Sequence, residues 1–303
     1  MAHPARSAPL PGADAGPRVR EVVLDADGLP LSGLLALPGE SPPRAVVVAL
    51  HGGGMRAGYF DGRADPSTSL LTLAASCGYT ALALDRPGYG SSTSAHPEGV
   101  GLDAQARRVR EALAAHARGH PTGAGFFLVG HSLGGKVALA VAADWSGDGL
   151  LGVEVSGISD RWAVDPRALV GADGLRTRRL HWGPLSLYPP RTFQLAEHLV
   201  APLPAREAAE APGWPARYRE LARSVRVPVR FTFAEHERWW RCDARTVEAM
   251  TARLASPLVR TERQEGAGHN ISLGLAARGY HLRVLAFLEE CLLRRERGGA
   301  GDP

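Results

Sequence analysis

The sequence predicts an α/β fold in which a doubly wound, mostly parallel sheet carries helices on both faces. Short apolar runs such as Ala45–Leu50 and Phe126–Val129 are typical of strands that are buried on both sides. Helix-like segments such as Asp103–Arg118 alternate with these runs, and this alternation favours parallel strands joined by crossover helices. One interval, residues 157–224, interrupts the alternation.

The elements follow in order along the chain. A hairpin comes first, because Arg20–Gly28 and Leu31–Leu37 flank the turn dipeptide Asp27-Gly28. Further strands are expected at Ala45–Leu50, Thr80–Leu84, Phe126–Val129, Leu150–Ser156, Val227–Phe233 and Leu258–Gln264. Helices are expected at Thr68–Cys77, Asp103–Arg118, Lys136–Ala142, Thr246–Leu254 and Ala276–Arg294.

Residues 157–224 contain no strand-like run and are rich in proline. Such an interval is too long for a simple loop, so we expect a helical lid inserted after the sixth strand. Its aromatic residues either line a roomy apolar pocket or pack the lid onto the core. They are Trp162, Trp182, Tyr188, Phe193, Trp214 and Tyr218.

The predicted elements divide the chain into a core and a lid. The core is predicted at residues 19–156 and 225–294, and the lid at 157–224. Residues 1–18 are expected to be a disordered leader, since they are rich in Pro, Ala and Gly and lack an apolar secretory core. Residues 295–303 are expected to be a disordered tail. The absence of a secretory or membrane-spanning stretch predicts a cytoplasmic protein.

The charge pattern limits the classes of partner. The formal net charge is +4, and Lys136 is the only lysine among 35 basic residues. No basic stripe interleaved with aromatic residues is present, so we expect neither nucleic-acid nor membrane binding. Cys77, Cys242 and Cys291 match no zinc spacing, which predicts reduced thiols and no metal site. The expected partner is a small molecule, and the sequence leaves the oligomeric state open.

The strongest chemical signal is Gly130-His131-Ser132-Leu133-Gly134, which lies between an apolar strand and a helix. A serine on such a tight turn has a strained backbone and an exposed hydroxyl, which suits a nucleophile. His131 is expected to pack beneath the turn.

A serine nucleophile needs a base and a group that orients the base. His269 follows the last strand on a glycine-rich loop and is the predicted base. Glu237 is the predicted orienting acid, with Glu235 and Asp160 as alternatives. Asp243 is expected to cap the next helix, and His236 to be structural or to face the substrate.

An oxyanion site requires two backbone amides aimed at one oxygen. Leu133 directly follows the serine at a helix N-terminus and supplies the first. Gly53 is the predicted second donor, with Gly54 as the alternative, because the loop His51-Gly52-Gly53-Gly54 lets the backbone approach a substrate closely.

With these motifs the chain resembles the α/β-hydrolase superfamily from about Arg20 to Leu293. Further matching segments are Asp85–Ser92 and Gly268-His269. The resemblance implies an eight-stranded sheet with an antiparallel second strand, no cofactor, and a triad of Ser132, His269 and an acid. The elbow is most similar to those of lidded esterases and thioesterases. The family more often carries Asp where Glu237 stands.

The predicted reaction is hydrolysis of an ester or thioester of a small to medium, partly apolar substrate through an acyl-enzyme. Predicted substrate contacts are Gly54, His131, Trp182 and Tyr188. The alternatives are acyl transfer or acyloxy elimination at the same site, C–C hydrolysis or perhydrolysis, and a non-catalytic small-ligand receptor. The arginine-rich composition is typical of high-GC genomes and suggests, by association, a role in secondary metabolism.

Overall fold

The computed structural model describes residues 17–39, 41–170, 174–195 and 199–299. Its eight strands are β1 (Val19–Ala26), β2 (Leu29–Ala36), β3 (Val46–Leu50), β4 (Thr80–Leu84), β5 (Phe126–His131), β6 (Leu150–Ser156), β7 (Val229–His236) and β8 (Val259–Gly268). They form one sheet in the order β1-β2-β4-β3-β5-β6-β7-β8. Strand β2 is antiparallel to β1 and β4, whereas the other neighbours are parallel. The predicted mostly parallel, eight-stranded sheet is confirmed.

Helices cover both faces of this sheet. In the described ranges they are α1 (Leu70–Ser76), α2 (Leu102–Gly119), α3 (Leu133–Ala143), α4 (Gly174–Trp182), α5 (Arg191–Leu195), α6 (Ala205–Glu210), α7 (Trp214–Ala222), α8 (Ala244–Thr251) and α9 (Ala277–Gly299). One core packs the sheet against α2, α3, α7 and α8, and the other packs it against α1 and α9.

Strand β3 shows why the central runs are wholly apolar. Val46, Val48 and Leu50 pack into the core on the α2 side, while Val47 and Ala49 pack into the core on the α9 side. Successive side chains of a strand point to opposite faces, so a strand covered on both faces has no polar position.

Residues 157–224 lie between β6 and β7, and we refer to them as the β6–β7 segment. The part of it that the structure describes contains the helices α4 to α7. Its last helix, α7, differs from the expectation of a separate lid. Trp214 and Tyr218 of α7 are buried in the same core as α3, so this helix belongs to the layer that covers the sheet. Amphipathicity alone does not distinguish a helix on the sheet from a helix over the site.

The chain ends also bear on the predicted boundaries. Most of the expected leader, residues 1–16, lies outside the described residues. The expected disordered tail is corrected over residues 295–299, which continue α9. Arg295 anchors this last part of the helix, because its Nη1 donates to the carbonyl of Ala124 at 2.6 Å. Residues 300–303 lie outside the described ranges.

The structure also bears on the expectations for membrane spans, cysteines and metal sites. None of the helices in the described ranges combines the length and apolar character needed to cross a bilayer. Cys77, Cys242 and Cys291 are all free cysteines. Among the same described residues, no group of three or more His, Cys, Asp or Glu side chains is arranged to hold a metal ion.

Candidate active site

Ser132 connects β5 to α3 in a strained conformation. Its φ of 52° and ψ of −120° lie in a region that non-glycine residues rarely adopt. The backbone amide of Ser132 donates to the carbonyl of Ser156 at 2.8 Å, which ties the turn to the end of β6. The strain and this tether place the Ser132 hydroxyl at the carboxyl edge of the sheet.

Two glycines allow the turn to pack against the neighbouring strand. A Cβ at Gly134 would lie 2.1 Å from the carbonyl oxygen of Leu50, and a Cβ at Gly130 would lie 2.6 Å from Cα of Gly135. Both contacts are with backbone atoms, which can shift only at a high energetic cost. The sequence therefore uses glycine here because the turn and β3 leave no room for a side chain.

The structure brings Ser132, His269 and Glu237 into one hydrogen-bonded series. Nε2 of His269 lies 3.1 Å from Oγ of Ser132, and Nδ1 lies 2.7 Å from Oε2 of Glu237. A carboxylate can only accept, so Nδ1 carries the proton and Nε2 is free to accept from the serine hydroxyl. The His269 side chain is 2% exposed and that of Glu237 is 0% exposed, so the series is shielded from water.

Strands β7 and β8 place the acid beside the histidine. These parallel neighbours pair His236 with Gly268, so the residues that follow, Glu237 and His269, leave the sheet side by side. Oε1 of Glu237 accepts from the amides of Arg238 at 3.0 Å and Trp239 at 2.8 Å. These two bonds orient the carboxylate and leave Oε2 for His269.

The two alternative acids lie elsewhere. Glu235 is exposed and accepts from the amide of Gly266 at 2.8 Å. Asp160 is buried in the loop after β6, and burial raises its pKa. Asp243 caps α8 as predicted, since its side chain accepts from the Thr246 amide at 3.1 Å.

The glycine loop after β3 faces the helix that begins with Leu133. A Cβ at Gly53 would lie 2.5 Å from Cδ1 of Leu133, which shows how closely the two approach. The amide of Gly54 donates to Oη of Tyr89 at 3.1 Å, so Gly54 is engaged elsewhere. Within the described part of the chain, the amides of Gly53 and Leu133 have no hydrogen-bond partner. Both residues line the cavity at Ser132, so their amides can donate to a group bound there.

A buried ion pair supports this loop from below. Arg86 is 0% exposed, and its Nε donates to the carbonyl of His51 at 2.7 Å. Its Nη1 and Nη2 bind the two carboxylate oxygens of Glu207 on α6 at 2.7 and 3.1 Å. Arg86 thereby links the glycine loop to the β6–β7 segment.

His131 packs beneath the serine. Its ring stacks on Tyr59 with centroids 4.7 Å apart, and its Nδ1 lies 3.1 Å from Oγ of Ser156. Burial, followed by the charge of His269, holds its pKa well below the ordinary range. The ring therefore stays neutral beside His269.

His181, on α4, lies at the site; the sequence interpretation placed it in a stretch that could line a pocket and assigned it no individual role. Its ring centroid lies 5.9 Å from that of His269 and 4.9 Å from Trp239. Burial and then His269 lower its pKa to about 3. No local motif marks His181, because only the folded β6–β7 segment brings it to the site.

A cavity of about 210 Å³ opens at Ser132 and His269. Part of its wall comes from the β6–β7 segment, namely Leu169, His181, Trp182, Val200, Ala201 and Leu203. Of the predicted substrate contacts, Gly54, His131 and Trp182 line this cavity.

Tyr188, the remaining predicted contact, is corrected. It is buried behind Trp182, with ring centroids 5.1 Å apart, and it also packs on Phe193. Among the described residues that line the cavity, Tyr188 is absent. Tyr188 therefore packs against other side chains and does not line the pocket.

Comparisons with known proteins agree with this architecture. A family model described as the alpha/beta hydrolase family matches residues 47–279. A soluble variant of monoglyceride lipase from Saccharomyces cerevisiae is 16% identical, with a TM-score of 0.66 over 94% of this chain and 99% of that one. A thermostable carboxyl esterase from Bacillus coagulans is 17% identical, with a TM-score of 0.63 over 90% and 98%.

The thioesterase domain from the curacin biosynthetic pathway is 16% identical, with a TM-score of 0.62 over 88% of this chain and 99% of that one. At these identities the likeness concerns the fold. A comparison with curated protein sequences gives no significant match.

Proposed function

Because the chain belongs to the alpha/beta hydrolase family, we propose that it is a serine hydrolase that cleaves an ester or thioester through an acyl-enzyme. One observation carries the proposal: the series Glu237–His269–Ser132, with distances of 2.7 and 3.1 Å, ends at a cavity. Nucleophile, base and orienting acid at hydrogen-bond distance are what acyl transfer requires.

The proposed acylation starts at Oγ of Ser132. As Oγ bonds to the carbonyl carbon, Nε2 of His269 takes the hydroxyl proton and the carbonyl oxygen becomes an oxyanion. The carbon–oxygen or carbon–sulfur bond to the leaving group then breaks, and His269 passes the proton to that group. The product of this half-reaction is an ester on Ser132 and a free alcohol or thiol.

Deacylation repeats the sequence with water. His269 removes a proton from a water molecule, the resulting hydroxide bonds to the acyl carbon, and the bond to Oγ breaks. The proton returns to Ser132 and the carboxylic acid leaves. Glu237 balances the positive charge that His269 carries in both halves, and the neutral rings of His131 and His181 add no repulsion.

The amides of Gly53 and Leu133 are the proposed oxyanion donors. Leu133 begins α3, so its amide points out of a helix N-terminus where partial positive charge favours an anion. Gly53 approaches Leu133 from the loop after β3. Two such donors typically account for a large share of the rate gain in acyl transfer.

The cavity indicates a substrate group that is small and partly apolar. Its volume of about 210 Å³ holds a short acyl or alcohol group, and Met55, Trp182 and Leu203 give it an apolar wall. The cavity-lining part of the β6–β7 segment is, in this proposal, the lid predicted from the sequence, and it limits the length of this group. The structural likeness to a lipase, an esterase and a thioesterase supports the same reaction class. A role of the protein in secondary metabolism remains a hypothesis that rests on its arginine-rich composition alone.

The test uses p-nitrophenyl butyrate and S-butyryl-N-acetylcysteamine with product analysis. We expect butyric acid together with p-nitrophenol or the free thiol, and no turnover by Ser132→Ala. Ser91→Ala, at an exposed serine, is the control and keeps full activity. Turnover that survives in Ser132→Ala would overturn the proposal. Acyl transfer to added alcohol in place of acid release would replace hydrolysis by transfer.

A further inference from the structure

Lys136, the only lysine in the chain, lies on α3 one turn after Ser132. The residue is 6% exposed, so it is almost completely buried. It lines a second cavity of about 480 Å³, which is distinct from the cavity at His269. Leu133 lines both cavities and therefore stands between them.

Three tryptophan rings surround the Lys136 ammonium. Nζ lies 4.9 Å from the ring centroid of Trp162, 5.1 Å from that of Trp214 and 5.2 Å from that of Trp240. Trp214 is fixed by its Nε1, which donates to the carbonyl of Ser159 at 2.8 Å. The electron-rich faces of such rings attract a cation, so this cage favours the protonated lysine.

The ammonium nevertheless lacks an acceptor. Within the described part of the chain, Lys136 makes no hydrogen bond through its side chain and no ion pair. The nearest carboxylates are engaged elsewhere, because Glu207 binds Arg86 and Glu210 accepts from the amide of Leu102 at 2.9 Å. An ammonium has three donors, and buried donors normally find partners.

The electrostatic surroundings show the consequence of this arrangement. Burial lowers the pKa of Lys136 to about 7, and the nearby charge of Arg86 acts in the same direction. The carboxylates of Glu207 and Glu210 oppose the shift from a distance. An anion placed on Nζ would restore the charged form, so binding of an anion and protonation of Lys136 are linked.

We propose that this cavity binds the carboxylate or phosphate group of a small organic molecule, with Lys136 as the ionic partner. Leu133, Val137 and Trp214 offer apolar surface to the carbon part of such a ligand. Arg206 adds positive charge to the wall. The wall also carries the carboxylates of Asp103, Glu207 and Glu210, which are engaged by Arg217, Arg86 and the amide of Leu102 respectively. A volume of about 480 Å³ is typical of small-molecule sites. The inference does not require Ser132 to be a nucleophile.

The ligand could come from two sources that share this chemistry. The anion is either the far end of the substrate held at Ser132 or a separate small molecule. Leu133 lies between the two cavities, so both sources are compatible with the geometry.

The direct test is NMR on the full-length protein labelled with [ε-13C]lysine, which yields one side-chain signal because the chain has one lysine. The probes are 4-phenylbutyrate and phenyl phosphate, with neutral 4-phenylbutanamide as control. We expect an anion to move the signal and to raise the pH midpoint of its titration, and the amide to leave the midpoint unchanged. A midpoint that stays constant with both anions at millimolar concentrations overturns the proposal.

Calorimetry with variants provides a second measurement. Lys136→Met removes the ammonium group and leaves an apolar side chain of similar length. It should weaken 4-phenylbutyrate binding at least about tenfold. Arg107→Met, which removes an exposed cation from α2, is the matched control and should leave the affinity unchanged. Equal affinity in the wild type and in folded Lys136→Met would contradict the assignment of Lys136.

Steady-state kinetics separate the two sources. If the anion belongs to the substrate, Lys136→Met raises KM for an ester with a remote carboxylate, leaves kcat unchanged, and has no effect on the neutral ester. If it belongs to a separate molecule, both esters respond alike and 4-phenylbutyrate still binds after Ser132 is labelled. Failure of ester turnover would count against the proposed function alone, since the NMR titration measures the Lys136 cavity without catalysis.

Discussion

Oε2 of Glu237 lies 2.7 Å from Nδ1 of His269, and both side chains are buried. This contact distinguishes Glu237 from the other candidate acids. Glu235 faces solvent two residues earlier on the chain, and Asp160 lies after a different strand. Among the described residues, Glu237 is the carboxylate that contacts His269, and two backbone amides also hold it, so its orientation is set before any substrate binds.

Glu237→Gln is expected to lower kcat for ester hydrolysis by about 10²- to 10⁴-fold with the fold unchanged. The amide group can donate to Nδ1, which would place the histidine proton on Nε2 and remove the acceptor for Ser132. It also leaves the charge on His269 unbalanced. Steady-state kinetics on p-nitrophenyl butyrate, with circular dichroism to check the fold, provide the measurement.

The matched controls for this variant are Glu235→Gln and Asp160→Asn. We expect both to keep kcat within about twofold, since neither side chain contacts His269 in the described structure. A large loss in either control together with a small loss in Glu237→Gln would reassign the acid.

Gly134→Ala is expected to destabilise the protein severely. The added Cβ would lie 2.1 Å from the Leu50 oxygen and 2.4 Å from the His51 oxygen, so backbone of β3 or α3 has to shift. Overpacking typically costs about 1–3 kcal/mol of unfolding free energy, and a clash with backbone places Gly134→Ala at the upper end of that range. Urea denaturation measures the change.

Gly119→Ala is the control for that substitution. It lies at the end of α2, and a Cβ there meets nothing within 4 Å. We expect an unchanged or slightly higher unfolding free energy. If Gly134→Ala were as stable as Gly119→Ala, the close packing of the elbow against β3 would be refuted.

Glu207→Ala should cost about 3–5 kcal/mol of unfolding free energy, because it leaves the guanidinium of Arg86 buried without its partner. It should also lower kcat for ester hydrolysis, since Arg86 holds the His51 carbonyl in the glycine loop. Urea denaturation and kinetics on the same preparation test both effects.

The control for the ion pair is Glu290→Ala, which removes the exposed partner of Arg260. A surface pair of this kind contributes at most about 1 kcal/mol. A similar loss of stability in the two variants would contradict the importance assigned to burial of the Arg86–Glu207 pair.

His281 makes a testable contribution to acid sensitivity. Burial lowers its pKa from 6.5 to about 4, so the unfolded chain takes up this proton more readily than the folded protein. Protonation of His281 therefore does not change the unfolding free energy above about pH 7. Below that, the unfolding free energy falls as the pH drops from 6.5 towards 4. The slope for one such group is about 1.4 kcal/mol per pH unit.

The measurement is urea denaturation of the wild type and His281→Gln across this pH range. The variant loses hydrogen bonds to Thr68 and Ser272, so it starts less stable, but its stability should fall less steeply with acid. His96→Gln, in the loop after β4, is the control and should keep the wild-type slope. An unchanged slope in His281→Gln would contradict a buried neutral His281.

The sequence predicted the sheet and the elbow because both are local patterns. A strand buried on both faces has a run of apolar residues in the sequence. Gly130 and Gly134 mark a turn that leaves no room for a side chain at these two positions. The order of the base and the acid along the chain also followed from the strands that precede them. Local patterns thus determined the framework of the site.

The other features of the site depend on contacts between residues that are far apart in the sequence, and no local pattern predicts such contacts. Three carboxylates remained possible until the pairing of β7 with β8 placed Glu237 beside His269. His181 reaches the site only through the packing of α4. The cage around Lys136 joins residues from separate elements, so its chemistry is invisible until the chain has folded.

The central claim is that Ser132 is a nucleophile activated by His269, and labelling with a fluorophosphonate probe tests it most directly. Intact-mass spectrometry of the wild type should show one adduct, and peptide mapping should place it on Ser132. Ser132→Ala should take up no probe, and Glu237→Gln should react more slowly than the wild type. An adduct on another residue, or equal labelling of Ser132→Ala, would contradict the account.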